Sequence, residues 1–228
     1  MLELLRRGAL EVKGRLPWSS NGTFLVDVCM GEEQGAAVYK PLRGERPLWD
    51  YPSGLYRREV AVYLISEALG WGLVPETVLR DDGPFGPGSL QRFVPAHFEE
   101  HYFTMLERPE LHEPLKAVCL LDLLVNNGDR KSGHCLQGED GRIWAIDHGL
   151  CLHDEPKLRT VIWDFAGQPV APERLDAIAS LAGGPPSELG GLLDPAEIDA
   201  LRARAAAVLR RPEYPVIASA RAYPWPLV

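Results

Sequence analysis

The sequence predicts an α+β chain in two parts, a sheet-rich region over residues 1–94 and a helix-rich region over residues 95–228. Three observations predict it. Residues 8–94 contain short runs of alternating apolar residues separated by Gly, Pro and Ser, the chemistry of strands and turns. One segment of that region, residues 55–69, instead repeats its apolar residues at helical spacing. Beyond Pro95 helical patterns take over, apart from one apolar segment that ends at Asp147.

GALEVKGRL and TFLVDVCM alternate and flank a polar segment, so they read as a hairpin with Ser19, Ser20, Asn21 and Gly22 in its turn. GAAVYK supplies the next strand and ends at Lys40. In the helix that follows, Val60, Ala61, Leu64, Ile65 and Ala68 share a face; Gly70 and Gly72 stop it and Pro75 favours an extended exit. ETVLR and SLQRFV then pair around the breaker-rich DDGPFGPG. Leu115, Val118, Cys119, Leu121 and Leu124 mark a helix over residues 113–125, which delivers the polar loop NNGDRKSGH, and residues 141–147 form a short strand entering a second loop. Helices follow from Pro172 and from Asp194, where Asp-Pro-Ala-Glu offers an N-cap, a first-turn proline and a glutamate three residues on. The tail RAYPWPLV carries Tyr223 and Trp225, read as packing or partner contacts.

A chain of 228 residues buries roughly 70% of its unfolded surface, and 46% hydrophobic with 25% charged residues excludes wholesale disorder. Asp plus Glu outnumber Lys plus Arg by 32 to 24, a net charge of −8 that argues against a nucleic-acid partner. A nucleotide remains compatible, because a lysine and a metal ion handle its few phosphates. No apolar run is long enough to span a membrane, and the first residues are interrupted by charge too early for a secretory signal, so a cytoplasmic location is expected. Cys29, Cys119, Cys135 and Cys151 are scattered without a CxxC pair and are expected to be reduced.

The chemistry concentrates in residues 126–134 and at Asp147. An isolated aspartate ordinarily caps a turn. Asp129 and Asp147, however, each follow an apolar element in a polar loop, with Asn, Lys and His beside them. Phosphoryl transfer needs an oxygen-rich metal position and a group that orients the attacking hydroxyl. Asp147 suits the first, Asp129 the second, and Lys131 would offset charge on the moving group.

NNGDRKSGHCLQGEDGRIWAIDHGL resembles the catalytic-loop and metal-loop segment of the phosphatidylinositol 3-/4-kinase-like superfamily, an atypical kinase fold with an uncharacterised bacterial branch. There, Asp-Arg-His-x-x-Asn precedes a strand and Asp-Phe-Gly, and Asp129, Arg130, Asp147 and Gly149 match. Lys131 stands in place of that histidine, His134 at the metal-binding asparagine and His148 at the phenylalanine. The resemblance implies a small two-lobed fold, ATP and Mg2+ (with Mn2+ as a substitute), and transfer of the γ-phosphoryl group to an alcohol on a protein, lipid or small molecule. Asp129 and Lys131 would be catalytic, and His134 and Asp147 metal ligands. Lys40 would hold the nucleotide phosphates, with Glu59 as its partner and Glu45 as a rival. Ser20, Asn21 and Gly22 would cover the phosphates, and Gln91, Phe93 and Val94 would meet the adenine. A nucleotide-binding regulatory module and an AMP transferase are the alternatives.

Overall fold

The computed structural model describes residues 1–17, 19, 21–217 and 222–227; Ser20, expected over the phosphates, lies outside the described residues. Strands β1 (Ala9–Arg15), β2 (Phe24–Met30), β3 (Glu33–Pro41), β4 (Thr77–Arg80) and β5 (Gly88–Arg92) form one antiparallel sheet in the order β1-β2-β3-β5-β4. Alternation gives it two faces. Val26, Val28, Ala37, Tyr39 and Leu90 are buried together on one. Lys40, one residue beyond Tyr39, is thereby directed to the other.

A short helix, α1 (Leu2–Arg7), covers the first face with Leu4 and Leu5. It was not expected from the sequence, because six residues are too few to establish a helical period.

Helix α2 (Leu55–Ala68) begins after Gly54, whose φ of +95° favours glycine. The Glu45 carboxylate accepts the backbone N–H groups of Gly54 (2.8 Å) and Tyr56 (2.9 Å), satisfying donors that the first helical turn leaves free. That contact makes Glu45 a helix cap. Ala61, Val62 and Ile65 of α2 enter a core shared with helices α4 (His112–Val125), α5 (Pro172–Gly183) and α6 (Pro195–Arg210). Buried Arg58 donates to the Cys151 carbonyl (2.7 Å) and pairs with Glu197 at the start of α6.

Two small elements complete the site side. β6 (Cys135–Gln137) and β7 (Ile143–Ala145) form an antiparallel ribbon, so the strand expected over residues 141–147 is shorter and has a three-residue partner. Between the sheet and α4 lies α3 (Tyr102–Leu106), whose N-cap is His101; the Tyr102 hydroxyl donates to Asp164 (2.6 Å), giving that carboxylate a structural partner. All four cysteines are free, and among the described residues no helix is long and apolar enough to cross a membrane.

Glu197 serves twice: it accepts the Asp194 N–H (3.0 Å) in the α6 capping box and neutralises Arg58. Replacing Glu197 by Ala leaves a buried guanidinium unpaired, so urea denaturation is expected to show a loss of about 3–5 kcal/mol. A loss under 1 kcal/mol, the size of an exposed pair, would contradict this reading.

Candidate active site

Three segments converge on Lys40. Its ammonium pairs with Glu59 from α2 and lies 2.8 Å from Asp147 Oδ1, in the loop after β7. The second Glu59 oxygen accepts the His148 N–H at 3.0 Å, so one carboxylate fixes both the sheet lysine and the loop carrying Asp147. Burial disfavours the Lys40 charge, yet Asp147 and Glu59 raise its pKa above the ordinary value. Burial would likewise raise Asp147, but the Lys40 ammonium and His134 hold its carboxyl well below the usual carboxylate range. Asp147 has a φ of +61°, a left-handed conformation that Asp tolerates better than most residues and that is uncommon outside special sites.

The loop after α4 is held by its own asparagines. Asn126, left-handed at φ +54°, ends the helix; its amide donates to the carbonyls of His153 (2.9 Å) and Glu155 (2.7 Å) and accepts from Lys157 N (2.9 Å). Asn127 donates to Asp122 (2.9 Å) and accepts the Asp129 N–H (2.9 Å). Arg130 is wholly buried against Asp122 and also donates to the carbonyls of His134 (3.1 Å) and Ile146 (2.7 Å). These contacts hold Asp129 and Asp147 around one cavity, which Lys40, Glu59, Asn21 and Gly22 also line.

Asp129 is raised to about 6, burial being the main cause and Lys131 opposing it. Lys131 Nζ lies 3.5 Å from Asp129 Oδ2. His134 Nε2 lies 3.4 Å from Asp147 Oδ2, and burial with the neighbouring cations depresses its pKa to about 4, so it is neutral at pH 7. Its Nδ1 is 3.1 Å from the Asp129 carbonyl oxygen, an obligate acceptor, and farther, at 3.4 Å, from Lys131 N. With the proton on Nδ1 and donated to that carbonyl, the Nε2 lone pair faces the Asp147 carboxylate and the two lone-pair donors fit a shared cation; with the proton on Nε2, Nδ1 accepts the Lys131 N–H and Nε2 faces Asp147 as a donor. Among the described residues no three His, Cys, Asp or Glu side chains form a metal cluster, so further ligands for such an ion must come from elsewhere.

Two expectations need correction. Gly22 donates its N–H to Gly44 O (2.8 Å), and Asn21 Oδ1 accepts Arg46 N (3.0 Å), so the turn is pinned to the segment after β3 and the Gly22 donor is not free for phosphate. The two glycines touch: a Cβ on Gly22 would sit 2.9 Å from Gly44 Cα. Gln91 lies within the sheet, paired with Thr77 and Val38, and its amide donates to Thr77 Oγ1 (2.8 Å), so it serves the sheet and not a ligand. Phe93 and Val94 do not line the Lys40 cavity; Val94 packs with Ala96, Leu136 and Trp144. Arg130, Asp122, Asn126 and Asn127 gained no specific role from the sequence, although the DR pair in the loop contained the signal.

The architecture matches known kinases. The Golgi casein kinase structure with Mn/ADP bound superposes with a TM-score of 0.58 at 13% identity, over 92% of this chain and 74% of that one. The structure of hydra Fam20 with sugar gives 0.61 at 12% identity, over 92% and 86%. The fold is therefore a compact mixed α/β domain like the bilobed protein-kinase and phosphatidylinositol-kinase folds. A family model described as phosphatidylinositol 3- and 4-kinase matches residues 62–193. Protein Rv2133c of Mycobacterium tuberculosis is 42% identical over 98% of this chain and 94% of its own. The chain belongs to the phosphatidylinositol 3- and 4-kinase family. Phosphatidylinositol 4-kinase gamma 4 of Oryza sativa subsp. japonica is 27% identical over 71% of this chain, which spans only 35% of that protein's length. The family match begins after Lys40 and Glu59, so the case for that pair rests on its geometry.

The site makes stability depend on pH. His134 and His148 have folded pKa values depressed by burial, so below the unfolded value of about 6.5 the unfolded chain takes up protons that the folded chain refuses. Asp129, raised to about 6, acts in the opposite sense between about pH 6 and 4. With two imidazoles against one carboxyl, the urea midpoint is expected to fall from pH 7 to pH 5. His148→Gln should reduce that fall; a midpoint rising toward pH 5 would reverse the assignment.

Proposed function

We propose that this protein transfers the γ-phosphoryl group of ATP to an alcohol. The observation that carries the reading is the Lys40 ammonium, bonded at once to Glu59 and to Asp147 above a cavity that Asp129 shares. Lys40 would contact the nucleotide phosphates, and Glu59 would keep it from collapsing into solvent. Asp147 and His134 would hold the divalent ion, with phosphate oxygens completing its shell; this mixed oxygen and nitrogen set is softer than an all-oxygen one and suits Mn2+ alongside Mg2+. When bound, the ion supplies positive charge against the phosphate oxygens. The casein kinase neighbour with Mn/ADP supports the same pairing of nucleotide and metal.

In the reaction, the acceptor oxygen bonds to the γ-phosphorus, the bond to the β–γ bridging oxygen breaks, ADP leaves, and the hydroxyl proton passes to Asp129. Lys131, beside Asp129, offsets charge on the transferring group. The cavity measures about 70 Å³, against roughly 300–1,000 Å³ for sites that enclose small ligands. Nucleotide entry therefore requires this cavity to widen.

Calorimetric titration of ATP with Mg2+ or Mn2+ is the first test. Saturable, metal-dependent binding is expected, and it should be severely weakened in Asp147→Asn. With γ-labelled ATP, label should reach an alcohol acceptor, and Lys40→Ala should lower kcat by about 10²–10³-fold, the cost of losing one preorganised charge-stabilising contact. Tight binding without transfer to any acceptor would favour a nucleotide-binding module, and transfer of α-label would indicate an AMP transferase.

A base must be ionised to work. With Asp129 at about 6, kcat/KM is expected to rise with pH through that value and then level off. Asp129→Ala should remove both the activity and the inflection; an unshifted inflection in residual activity would assign it to another group.

A further inference from the structure

Asp129 lines two cavities. One is the Lys40 cavity; the other, a groove of about 420 Å³, shares Asp129 and Leu150 with it and is walled further by Gly128, Arg159, Tyr223 and Trp225. Its size falls in the range of small-ligand sites. The far wall is the C-terminal segment, anchored at both ends: Thr160 N donates to Ala222 O (3.0 Å), and Ser132 N donates to Leu227 O (2.9 Å). The Tyr223 ring packs edge-on against Trp163, while Trp225 remains 87% exposed beside the groove. Arg159 is held by its backbone, which donates to Asn127 O (2.8 Å) and accepts Arg130 N (3.0 Å). Among the described residues its guanidinium makes no ion pair, in a chain of net charge −8.

We infer that this groove is the acceptor site and that it takes a small monophosphorylated sugar. The inference rests on the phosphotransferase reading above and supplies its substrate class. Three demands must be met within one small molecule: a hydroxyl at Asp129, an anion at Arg159, and a flat face for the aromatic wall. A guanidinium fork matches a phosphate bidentately. An exposed indole offers an apolar face with a polar edge, which suits the C–H face of a sugar ring. A saccharide carries its hydroxyls on the ring that stacks, so stacking itself aims one of them at the base. An unsubstituted aromatic ligand would stack equally well but would bring no hydroxyl. An anionic membrane is disfavoured, because the groove holds one cation rather than the basic cluster that a lipid surface requires. In the step itself the sugar oxygen bonds to the γ-phosphorus of ATP, ADP departs with the bridging oxygen, and Asp129 takes the proton.

The test is calorimetric binding of ribose 5-phosphate and glucose 6-phosphate to the full chain, against ribose, glucose and inorganic phosphate. At least one sugar phosphate is expected to bind about tenfold more tightly than its parent sugar and than phosphate alone. Its affinity should drop about tenfold or more in Arg159→Ala and in Trp225→Ala. Neither side chain belongs to the buried core, and Arg159→Lys, which keeps the charge but loses the fork, provides a second variant with an expected intermediate loss. Binding of neither sugar phosphate to a protein that binds ATP would overturn the inference. So would affinity unchanged in both Ala variants, or label transferred to phosphatidylinositol in phosphatidylcholine vesicles and to neither sugar phosphate. ATP binding, measured in parallel, reports on the nucleotide site alone and separates failure of the phosphotransferase reading from failure of this one.

Discussion

The buried pair of Arg130 and Asp122 is the constraint on which the site depends. Both side chains are fully inaccessible, and removing two charges from water costs several kcal/mol for each ion. Attraction between the pair offsets this only if the remaining donors are satisfied, and here they are. Besides Asp122, the guanidinium reaches the carbonyls of His134 and Ile146 and the Nε2 of His148 (2.8 Å). Asp122 in turn accepts from Asn127 and Thr160. One residue thus joins α4, the loop bearing Asp129 and the loop bearing Asp147. An apolar pair of equal volume would pack as well, but it would not fix two polar loops in one register.

A second tie joins the sheet to one of the same loops. Glu59 holds Lys40 with one oxygen and the backbone of His148 with the other, so one side chain joins the sheet, α2 and the Asp147 loop. Arg58, the residue before it, carries the same helix to Cys151 and to the first turn of α6. Adjacent positions on α2 point about 100° apart, and the helix uses that to connect the nucleotide side of the molecule with its C-terminal helices. This is also why α2 is buried on most of its circumference instead of showing a single apolar stripe.

How much of this was legible follows from the length of each signal. The sheet strands, α2, α4 and the capping box at Asp194 were readable because alternation or helical spacing ran over several residues. α1 and β6 were not, since six and three residues carry no period, whereas β7 was expected as part of a longer strand over residues 141–147. At the site, Lys40, Glu59, Asp129 and Asp147 were legible through their order along the chain, and the structure does bring them together. Glu45 stood as a rival because a carboxylate near a lysine in sequence resembles a partner, whereas its oxygens are taken by helix donors. The backbone use of Gly22 was invisible for a different reason: its acceptor, Gly44, is a residue with no side chain to announce a contact.

The two cavities that meet at Asp129 explain why its environment is tuned as it is. On one side stand Lys40 and Asp147, where charge is dense and mutually satisfied; on the other stand the tail aromatics and a single arginine. Burial raises this half-buried carboxylate to about 6 although Lys131 is close by. A carboxylate as strongly depressed as Asp147 binds cations well and protons poorly. The site therefore divides its two aspartates by environment: the one fixed by Lys40 is suited to a metal, and the one whose burial outweighs a single nearby lysine is suited to a proton.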